Sequence, residues 1–260
     1  MRNNILNDLQ LREVFHLEFL SRLARKLKPD RFCLKGGCNL RFFYGSVRYS
    51  EDMDLDARGI ATGKLRDITL KILDDKSLLS SLSLFGISGV RSPDMTKAKQ
   101  TETTQRFKIH LLTRSGADLF TKVEYSRRGF NGDPVIEAPS GKILRMYKMA
   151  PILVPHYDLR SQITQKVECL ASPSRAAAQA RDIFDLYLLS AQYAPETTPA
   201  IRVTRACVAQ ASKNVAATSF RMFRDTVLEY LAPEDRASHD SAGAWEEITF
   251  KTAAFLKQIG

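Results

Sequence analysis

The sequence predicts an α/β (α+β) fold in which a mixed sheet with flanking helices is followed by a C-terminal helical bundle. The composition, with 44% hydrophobic and 26% charged residues, is typical of a globular protein and excludes disordered and fibrous classes. Up to about residue 155 helical periodicity alternates with short extended runs, and beyond about residue 156 the periodicity is helical. The 260 residues fit one large domain or two small ones. We expect the units to span residues 1–155 and 156–260.

The first half opens with a helix over residues 9–27, because apolar side chains recur there every three or four positions until Pro29 ends the pattern. Polar or Gly/Pro turns such as Ser92-Pro93-Asp94 separate the extended segments that come later. The remaining predictions are a strand at 31–35, a helix at 39–44, a strand at 48–56, a helix at 63–79, and extended segments at 84–90, 105–113, 121–127 and 142–147. The second half is predicted as helices at 158–171, 174–193, 199–212, 218–231 and 243–258.

The net charge is +10, from 39 Lys and Arg against 29 Asp and Glu. Such a surplus favours a polyanionic partner, although many proteins are basic without a special purpose. Residues 142–224 hold 12 basic and 5 acidic side chains, whereas residues 225–260 hold 3 and 7, so we expect nucleic acid on the former and not the latter. The candidates for a phosphate-binding face, or alternatively for solvated helix faces, are Lys142, Arg145, Lys148, Arg160, Arg175, Arg202, Arg205, Arg221 and Arg224.

The N-terminal region and the cysteines point to the cytoplasm. The first residues lack the apolar core and small-residue cleavage site of a secretory signal, and no apolar run approaches the ~20 residues of a membrane span. The four cysteines form no CxxC pair, so a zinc site has little support. Cys33 and Cys38 are better interpreted as buried free thiols than as ligands.

An acidic strand is the most informative segment. In an extended chain Asp52, Asp54 and Asp56 share one face, while Met53 and Leu55 lie on the other. Clustered carboxylates repel unless a cation or a basic partner neutralises them. Oxygen ligands of this kind suit Mg²⁺, which binds through one or two carboxylates together with substrate phosphates. The sequence therefore predicts a magnesium site, the alternative being ordinary surface polarity.

A glycine pair precedes this strand. Gly36 and Gly37 follow a short strand and stand where a helix begins, with 14 residues between Gly37 and Asp52. Glycine lets the backbone approach a ligand closely, and the exposed N–H groups of a helix start bind phosphate. Each feature is common alone, but in this order they place a phosphate cradle beside a metal site.

This stretch resembles the first motif of the AbiEii/AbiGii-type (MenT-like) nucleotidyltransferase toxins, which belong to the DNA polymerase β-like nucleotidyltransferase superfamily. The matching residues are Lys35, Gly36, Gly37, Leu40, Tyr44, Gly45, Arg48, Tyr49, Ser50, Asp52 and Asp54. The resemblance implies a polymerase β-like nucleotidyltransferase fold, Mg²⁺ held by Asp52 and Asp54, and a nucleoside triphosphate cradled by Gly36 and Gly37. It implies that Lys35, Arg48 and Ser50 support that nucleotide site. Cys38-Asn39 replaces the usual Thr/Ser-Ala, and a thiol is a poorer phosphate donor than a hydroxyl.

Later motifs fit the same family. Glu124 alternates with apolar neighbours in residues 121–126 and is interpreted either as a third metal-site carboxylate or as a salt-bridge partner of Arg127 or Arg128. Residues 158–170 resemble the family helix with an essential lysine, so Lys166 is expected to meet triphosphate oxygens. The Arg181-Asp182-Ile183-Phe184-Asp185-Leu186 run matches another family motif. There the resemblance makes Asp182 an active-site acid and gives Asp185 the role of orienting Arg181 or Lys166; an ordinary amphipathic helix is the alternative.

The resemblance implies a Mg²⁺-dependent nucleotidyltransferase toxin of a toxin–antitoxin system. It is expected to transfer NMP from an NTP to RNA, plausibly the tRNA 3′ end, and so to block translation until an antitoxin neutralises it. Arg202, Arg205, Arg221 and Arg224 are the expected RNA-binding residues. The alternatives are a nucleotidyltransferase that modifies a protein hydroxyl and a catalytically silent basic nucleic-acid-binding protein of the same fold.

Overall fold

The computed structural model describes residues 6–96, 98–172 and 179–260. The chain divides into two compact units. Unit 1 contains residues 1–43 and 49–157, and unit 2 contains residues 44–48 and 158–260. The second unit was predicted to begin at residue 156. In the structure its main part begins at Asp158, and it also includes residues 44–48.

Unit 1 is built on one mixed sheet of seven strands in the order β3-β4-β5-β2-β1-β7-β6. The strands are β1 (Phe32–Lys35), β2 (Asp52–Ala57), β3 (Ile87–Arg91), β4 (Thr104–Thr113), β5 (Asp118–Ser126), β6 (Pro134–Glu137) and β7 (Val154–Tyr157). Two neighbouring pairs are parallel, β2 with β5 and β1 with β7, and the other pairs are antiparallel. The predicted mixed sheet with flanking helices is therefore confirmed.

Within the described residues of unit 1, five helices accompany this sheet. They are α1 (Asp8–Lys26), α2 (Gly36–Phe43), α3 (Thr62–Leu73), α4 (Lys76–Ser83) and α5 (Gly141–Met146). Helix α1 begins with a capping box, in which the Asn7 side chain and the Gln10 side chain each bond the other residue's backbone N–H. Its apolar face is almost completely buried in the core with the rear side chains of β2, Met53 and Leu55. The core thus lies behind the strand that carries the aspartates.

Two predicted elements of unit 1 were wrong in the type or the number of elements formed. The helix predicted over 63–79 is two helices, because Asp75 caps a new helix by accepting a hydrogen bond from the Ser77 amide. Residues 142–146 of the segment predicted as extended over 142–147 lie in α5, because the Ser140 side chain caps that helix and the consecutive residues Ile143 and Leu144 are both buried. Consecutive buried positions fit a helix and not an alternating strand.

Two short strands, β6 and β7, were not predicted. Each contains a proline, Pro134 in β6 and Pro155 in β7, which weakens the pattern of a strand. The predicted strand over 48–56 is shorter at its start, since β2 begins at Asp52. The helix predicted over 39–44 begins three residues earlier, so Gly36 and Gly37 form the first turn of α2.

Unit 2 is helical, as predicted. Its elements are α6 (Leu159–Ala171), α7 (Gln179–Ser190), α8 (Arg205–Ala217), α9 (Phe220–Thr226), a 3-10 turn (Leu228–Tyr230), α10 (Pro233–His239) and α11 (Ala242–Ile259). Residues 174–178 of the helix predicted over 174–193, and with them Arg175, lie outside the described residues. The helix predicted over 218–231 stops at Thr226, and α10 was not predicted. No helix among the described residues has the length and apolar character needed to cross a membrane.

Candidate active site

A row of four charged side chains crosses the sheet of unit 1. The strand register pairs Lys35 of β1 with Asp54 of β2, Asp54 with Glu124 of β5, and Glu124 with Arg106 of β4. Register partners on adjacent strands present their side chains on the same face of a sheet. The face therefore carries two neighbouring carboxylates with a basic residue at each end.

A second row lies two residues along and contains Asp52 of β2, Lys122 of β5 and Lys108 of β4. The Lys122 Nζ lies 2.8 Å from Asp52 Oδ2 and 4.0 Å from Glu124 Oε2. Burial opposes the charge of Lys122, but the hydrogen bond and the charge of Asp52 raise its pKa. The other Asp52 oxygen, Oδ1, is buried without a hydrogen-bond partner.

Asp54 lies against the glycine-led start of α2. A Cβ on Gly36 would stand 3.1 Å from Asp54 Oδ2, and Gly36 has a φ of +64°, which favours glycine. Burial raises the pKa of Asp54 and the negative charge of Asp52 raises it further, while Lys122 and Lys35 oppose the shift. Gly36 therefore leaves space beside Asp54, and a cation in that space would stabilise the charged form of this buried carboxylate.

Asp56, the third aspartate of β2, is already satisfied. Its Oδ1 lies 2.6 Å from Lys35 Nζ, and its Oδ2 accepts a 2.5 Å hydrogen bond from the Tyr157 hydroxyl. Only 2% of its side chain is exposed. Lys35, expected to support a nucleotide, is thus the ion-pair partner of Asp56, and the two remaining aspartates of the strand form the candidate site.

The backbone at the start of β2 is held by side-chain donors. The Ser50 hydroxyl donates to the Asp52 carbonyl at 2.8 Å, and the Cys38 thiol donates to the same oxygen at 3.3 Å. Thr121 donates to the Glu51 carbonyl at 2.7 Å and contacts His16 Nε2 at 2.8 Å. Cys38, where the family usually has a hydroxyl residue, therefore positions Asp52, and burial raises the pKa of its thiol well above the ordinary value.

Glu124 has a basic partner that sequence reasoning did not identify. Its Oε2 accepts a 2.6 Å hydrogen bond from Arg106, the residue directly opposite on β4. Arg127, one of the two partners expected for Glu124, instead bonds the Glu102 and Ile60 carbonyls and the Gln105 side chain.

The donor set at β2 fits a hard divalent cation bound through two carboxylates. Asp52 and Asp54 share one face, and Asp52 retains a buried oxygen that no donor satisfies. Mg²⁺ typically takes one or two protein carboxylates and completes its coordination with water and substrate phosphate. Within the described ranges, no group of three or more His, Cys, Asp or Glu side chains is arranged to hold a metal ion. A ligand role for Glu124 stays a prediction.

Unit 2 has its own buried charge cluster. Arg48 forms a bidentate pair with Asp185, with Nε 2.9 Å from Oδ1 and Nη2 2.7 Å from Oδ2. The Lys166 Nζ lies 2.6 Å from Asp185 Oδ2 and 2.8 Å from Asp182 Oδ1. The second oxygen of Asp182 is buried without a hydrogen-bond partner. Asp185 thus contacts Lys166, one of the two partners expected for it, whereas Arg181 donates to the Thr226 carbonyl.

The charges of this cluster stabilise each other. Burial alone would raise the pKa of Asp185, but Arg48 and Lys166 hold it at about 2. Burial opposes the charge of Lys166, but Asp182 and Asp185 raise its pKa above the ordinary value. Asp185 and Lys166 are therefore both ionised at neutral pH.

The four arginines expected to bind RNA are all exposed on unit 2. Arg202 and Arg205 flank the start of α8. Arg221 and Arg224 both lie beside Asp225, at 3.6 and 3.7 Å. A single exposed carboxylate shared by two arginines leaves a net positive charge at α9.

Sequence reasoning missed Lys122 and Arg106 as site residues. Both alternate with buried, mostly apolar residues along their strands, so the period-two pattern places them on the more exposed face. Which strand lies beside β2 is decided by the parallel β2/β5 pairing, and nothing local in either segment indicates it.

Comparison with protein-family models identifies the family. A family model described as "Nucleotidyl transferase AbiEii toxin, Type IV TA system" matches residues 18–254. No curated protein matches significantly. Among solved structures, MenT4, a nucleotidyltransferase toxin from Mycobacterium tuberculosis H37Rv, is similar with a TM-score of 0.63 and 21% identity, over 97% of this chain and 85% of that one.

Two Helicobacter pylori structures are also similar in fold. JHP933 gives a TM-score of 0.58 at 16% identity, covering 98% of this chain and 93% of its own. A putative nucleotidyltransferase gives 0.52 at 17% identity, covering 100% and 96%. The resemblance inferred from the motifs is confirmed: the chain belongs to the AbiEii family of nucleotidyltransferase toxins of type IV toxin–antitoxin systems.

Proposed function

We propose that this nucleotidyltransferase transfers a nucleoside monophosphate from an NTP to a hydroxyl of RNA, at the tRNA 3′ end, with release of pyrophosphate and dependence on Mg²⁺. The modified tRNA would no longer accept an amino acid, so translation in the cytoplasm would stop until a cognate antitoxin intervened. The observation that carries the proposal is the pair Asp52 and Asp54 on one face of β2, with Gly36 making room at Asp54.

Asp52 and Asp54 are the residues that would hold the metal. A bound Mg²⁺ lowers the cost of developing charge in phosphoryl transfer and helps to orient the reacting groups. The first turn of α2 leaves backbone N–H groups without intrahelical partners, and such groups bind phosphate oxygens. Gly36 and Gly37 form that turn, so they are the proposed contacts for the triphosphate.

Lys166 and Asp182 are proposed to take part in the reaction on the strength of their sequence motifs. Arg48 is included with them because it pairs with the same buried carboxylate, Asp185, that Lys166 contacts. Ser50 supports the site through the Asp52 backbone. Lys35 does so by satisfying Asp56.

An RNA acceptor is supported by the exposed arginines of unit 2. Arg202 and Arg205 lie in a stretch, residues 201–213, that contains no Asp or Glu. Lys and Arg contacts to phosphates supply most of the sequence-independent affinity for nucleic acid. The acidic residues 225–260 are proposed to lie outside the RNA footprint.

The test incubates the protein with Mg²⁺, total tRNA and each α-³²P-labelled NTP in turn, with EDTA as the metal-free arm. We expect label in a tRNA band with at least one nucleotide, sensitive to RNase and resistant to protease. Asp52→Asn and Asp54→Asn should abolish it, and Lys166→Ala should reduce it strongly. Asp240→Asn, at an exposed carboxylate in the acidic region of unit 2, is the matched control and should label normally.

The alternatives give different results. Label that is lost to protease and kept after RNase would indicate a protein acceptor. Binding of tRNA without label from any NTP would indicate a binding protein of the same fold. Unchanged labelling by Asp52→Asn would contradict the proposed metal site.

A further inference from the structure

Lys122 occupies a position that the proposed function does not explain. It lies on β5 directly opposite Asp52, and its Nζ is 2.8 Å from Asp52 Oδ2. Its side chain is 21% exposed and that of Asp52 28%, so the pair is partly shielded from solvent. A cation therefore already stands beside the carboxylate that is proposed to bind a metal.

Two neighbouring carboxylates of this sheet face are paired with other cations. Asp56 is neutralised by Lys35 at 2.6 Å, and Glu124 by Arg106 at 2.6 Å. The remaining carboxylates, Asp52 and Asp54, then share the charge of Lys122. Replacing Lys122 by an apolar residue would leave Asp52 without this ion-pair partner, and Asp54 beside Lys35, which already pairs with Asp56.

The geometry at Asp52 also shows that its pairing is incomplete. Lys122 engages Oδ2, while the buried Oδ1 has no donor. A buried acceptor without a partner costs about 1–3 kcal/mol, so this oxygen favours a ligand that binds it. A divalent cation bound to Asp52 would be repelled by the Lys122 ammonium, because both are positive and Lys122 Nζ lies 2.8 Å from Asp52 Oδ2.

We propose that Lys122 is the resident counter-cation of the metal site, that a divalent cation displaces it from Asp52, and that the displaced ammonium then binds the NTP triphosphate. Metal and nucleotide binding are consequently coupled, because the metal displaces the Lys122 ammonium from Asp52 and the triphosphate then binds that ammonium. This inference rests on the proposed function and adds Lys122 to it as a residue that positions charge. No covalent step is involved.

A purely structural role for Lys122 predicts the opposite behaviour. If the ion pair only held Asp52 in place, its removal would loosen the carboxylate and weaken metal binding. If Lys122 competes with the metal, its removal would strengthen metal binding in the absence of nucleotide. The sign of the change therefore distinguishes the two.

The experiment measures Mn²⁺ affinity of the full-length protein by the loss of the free-ion EPR signal, alone and with the α,β-methylene analogues of ATP, CTP, GTP and UTP. Lys122→Met keeps the apolar stem and removes the charge. Lys108→Met is the matched control, because Lys108 lies opposite Lys122 on β4, on the same face, and is exposed. Melting temperatures of both variants establish that they fold.

For Lys122→Met we expect the Mn²⁺ affinity without nucleotide to rise about fivefold or more, the lower end of typical coupling between two binding events. The affinity for the best-bound analogue should fall, and the gain in Mn²⁺ affinity that this analogue causes in the wild type should largely disappear. Lys108→Met should stay within about twofold of wild type in each measurement.

An unchanged or weaker Mn²⁺ affinity of Lys122→Met would overturn the inference. Asp52→Asn separates this failure from a failure of the proposed function. If Asp52→Asn abolishes Mn²⁺ binding while Lys122→Met does not raise it, only the role of Lys122 is wrong. If Asp52→Asn binds Mn²⁺ like the wild type, both the metal site and the inference are wrong.

Discussion

Replacing Asp185 by Asn tests the buried charge cluster of unit 2 most severely. Asp185 is completely buried and accepts three hydrogen bonds, two from Arg48 and one from Lys166, at 2.6–2.9 Å. Asn has nearly the same volume, so the change removes the buried negative charge that Arg48 and Lys166 share. Removing one partner of a buried ion pair costs about 3–5 kcal/mol, and we expect a loss of stability in that range.

The pH dependence gives an independent check of the same cluster. The pKa of Asp185 in the folded protein is about 2, below the ordinary 3.8, so its ionised form favours folding. This contribution is complete above about pH 4 and is lost as the pH falls towards 2. In Asp185→Asn that part of the acid-induced loss of stability should be missing.

Urea unfolding is the appropriate assay, because the single tryptophan, Trp245, is buried in unit 2 and stacked on Phe223. Its fluorescence reports the unit that contains the cluster. Asp225→Asn is the matched control, since Asp225 is 53% exposed and its contacts with Arg221 and Arg224 are long, at 3.6 and 3.7 Å. The control should change the free energy of unfolding by less than about 1 kcal/mol. A loss below about 1 kcal/mol for Asp185→Asn, with an unchanged m value, would refute the reasoning.

The remaining predictions concern the two proposed binding surfaces. Gly36→Ala should destabilise by about 1–2 kcal/mol and weaken Mn²⁺ binding, because a φ of +64° disfavours alanine and the new Cβ would lie 3.1 Å from Asp54 Oδ2. Gly63→Ala, whose Cβ meets nothing within 4 Å, is the control, and an equal melting temperature for the two variants would contradict the account. Arg202→Ala with Arg205→Ala should weaken tRNA binding and lower its salt dependence by roughly one to two released counterions, while NTP binding survives. A parallel loss of NTP binding, measured by calorimetry, would show that the RNA surface is misplaced.

The part of the site that lies within one stretch of chain was predictable from sequence. Period two placed Asp52, Asp54 and Asp56 on one face of a strand, and β2 has that face. It did not distinguish the three aspartates. Asp56 is not part of the candidate site, because one of its oxygens accepts a hydrogen bond from the hydroxyl of Tyr157, 101 residues away in the chain. Tyr157 belongs to β7, which was not predicted as a strand because it contains Pro155.

The partners of the carboxylates were not predictable for the same reason. Lys122 and Glu124 reach Asp52 and Asp54 only because β5 runs parallel to β2 in one particular register. A shift by one residue would turn both side chains to the core face. Local pattern identifies which face of a strand is polar, and tertiary pairing decides which charges meet there.

In the second half, cap residues set the boundaries that periodicity alone missed. The helix predicted to start at 199 begins at Arg205, after Thr204 caps it by accepting a hydrogen bond from the Cys207 amide. The motif containing Asp182 and Asp185 lies on α7 as predicted. The bidentate contact of Asp185 with Arg48 spans 137 residues, which no helical spacing indicates.

The most direct test of the central claim compares the two ends of the triphosphate. Wild-type protein is incubated with Mg²⁺, tRNA and the preferred NTP carrying ³²P at either the α or the γ position. Transfer of NMP predicts label in tRNA from the α-labelled nucleotide, none from the γ-labelled one, and none from either with Asp52→Asn. Label from the γ position, or equal α-labelling by Asp52→Asn, would contradict the claim that this acidic strand catalyses nucleotidyl transfer.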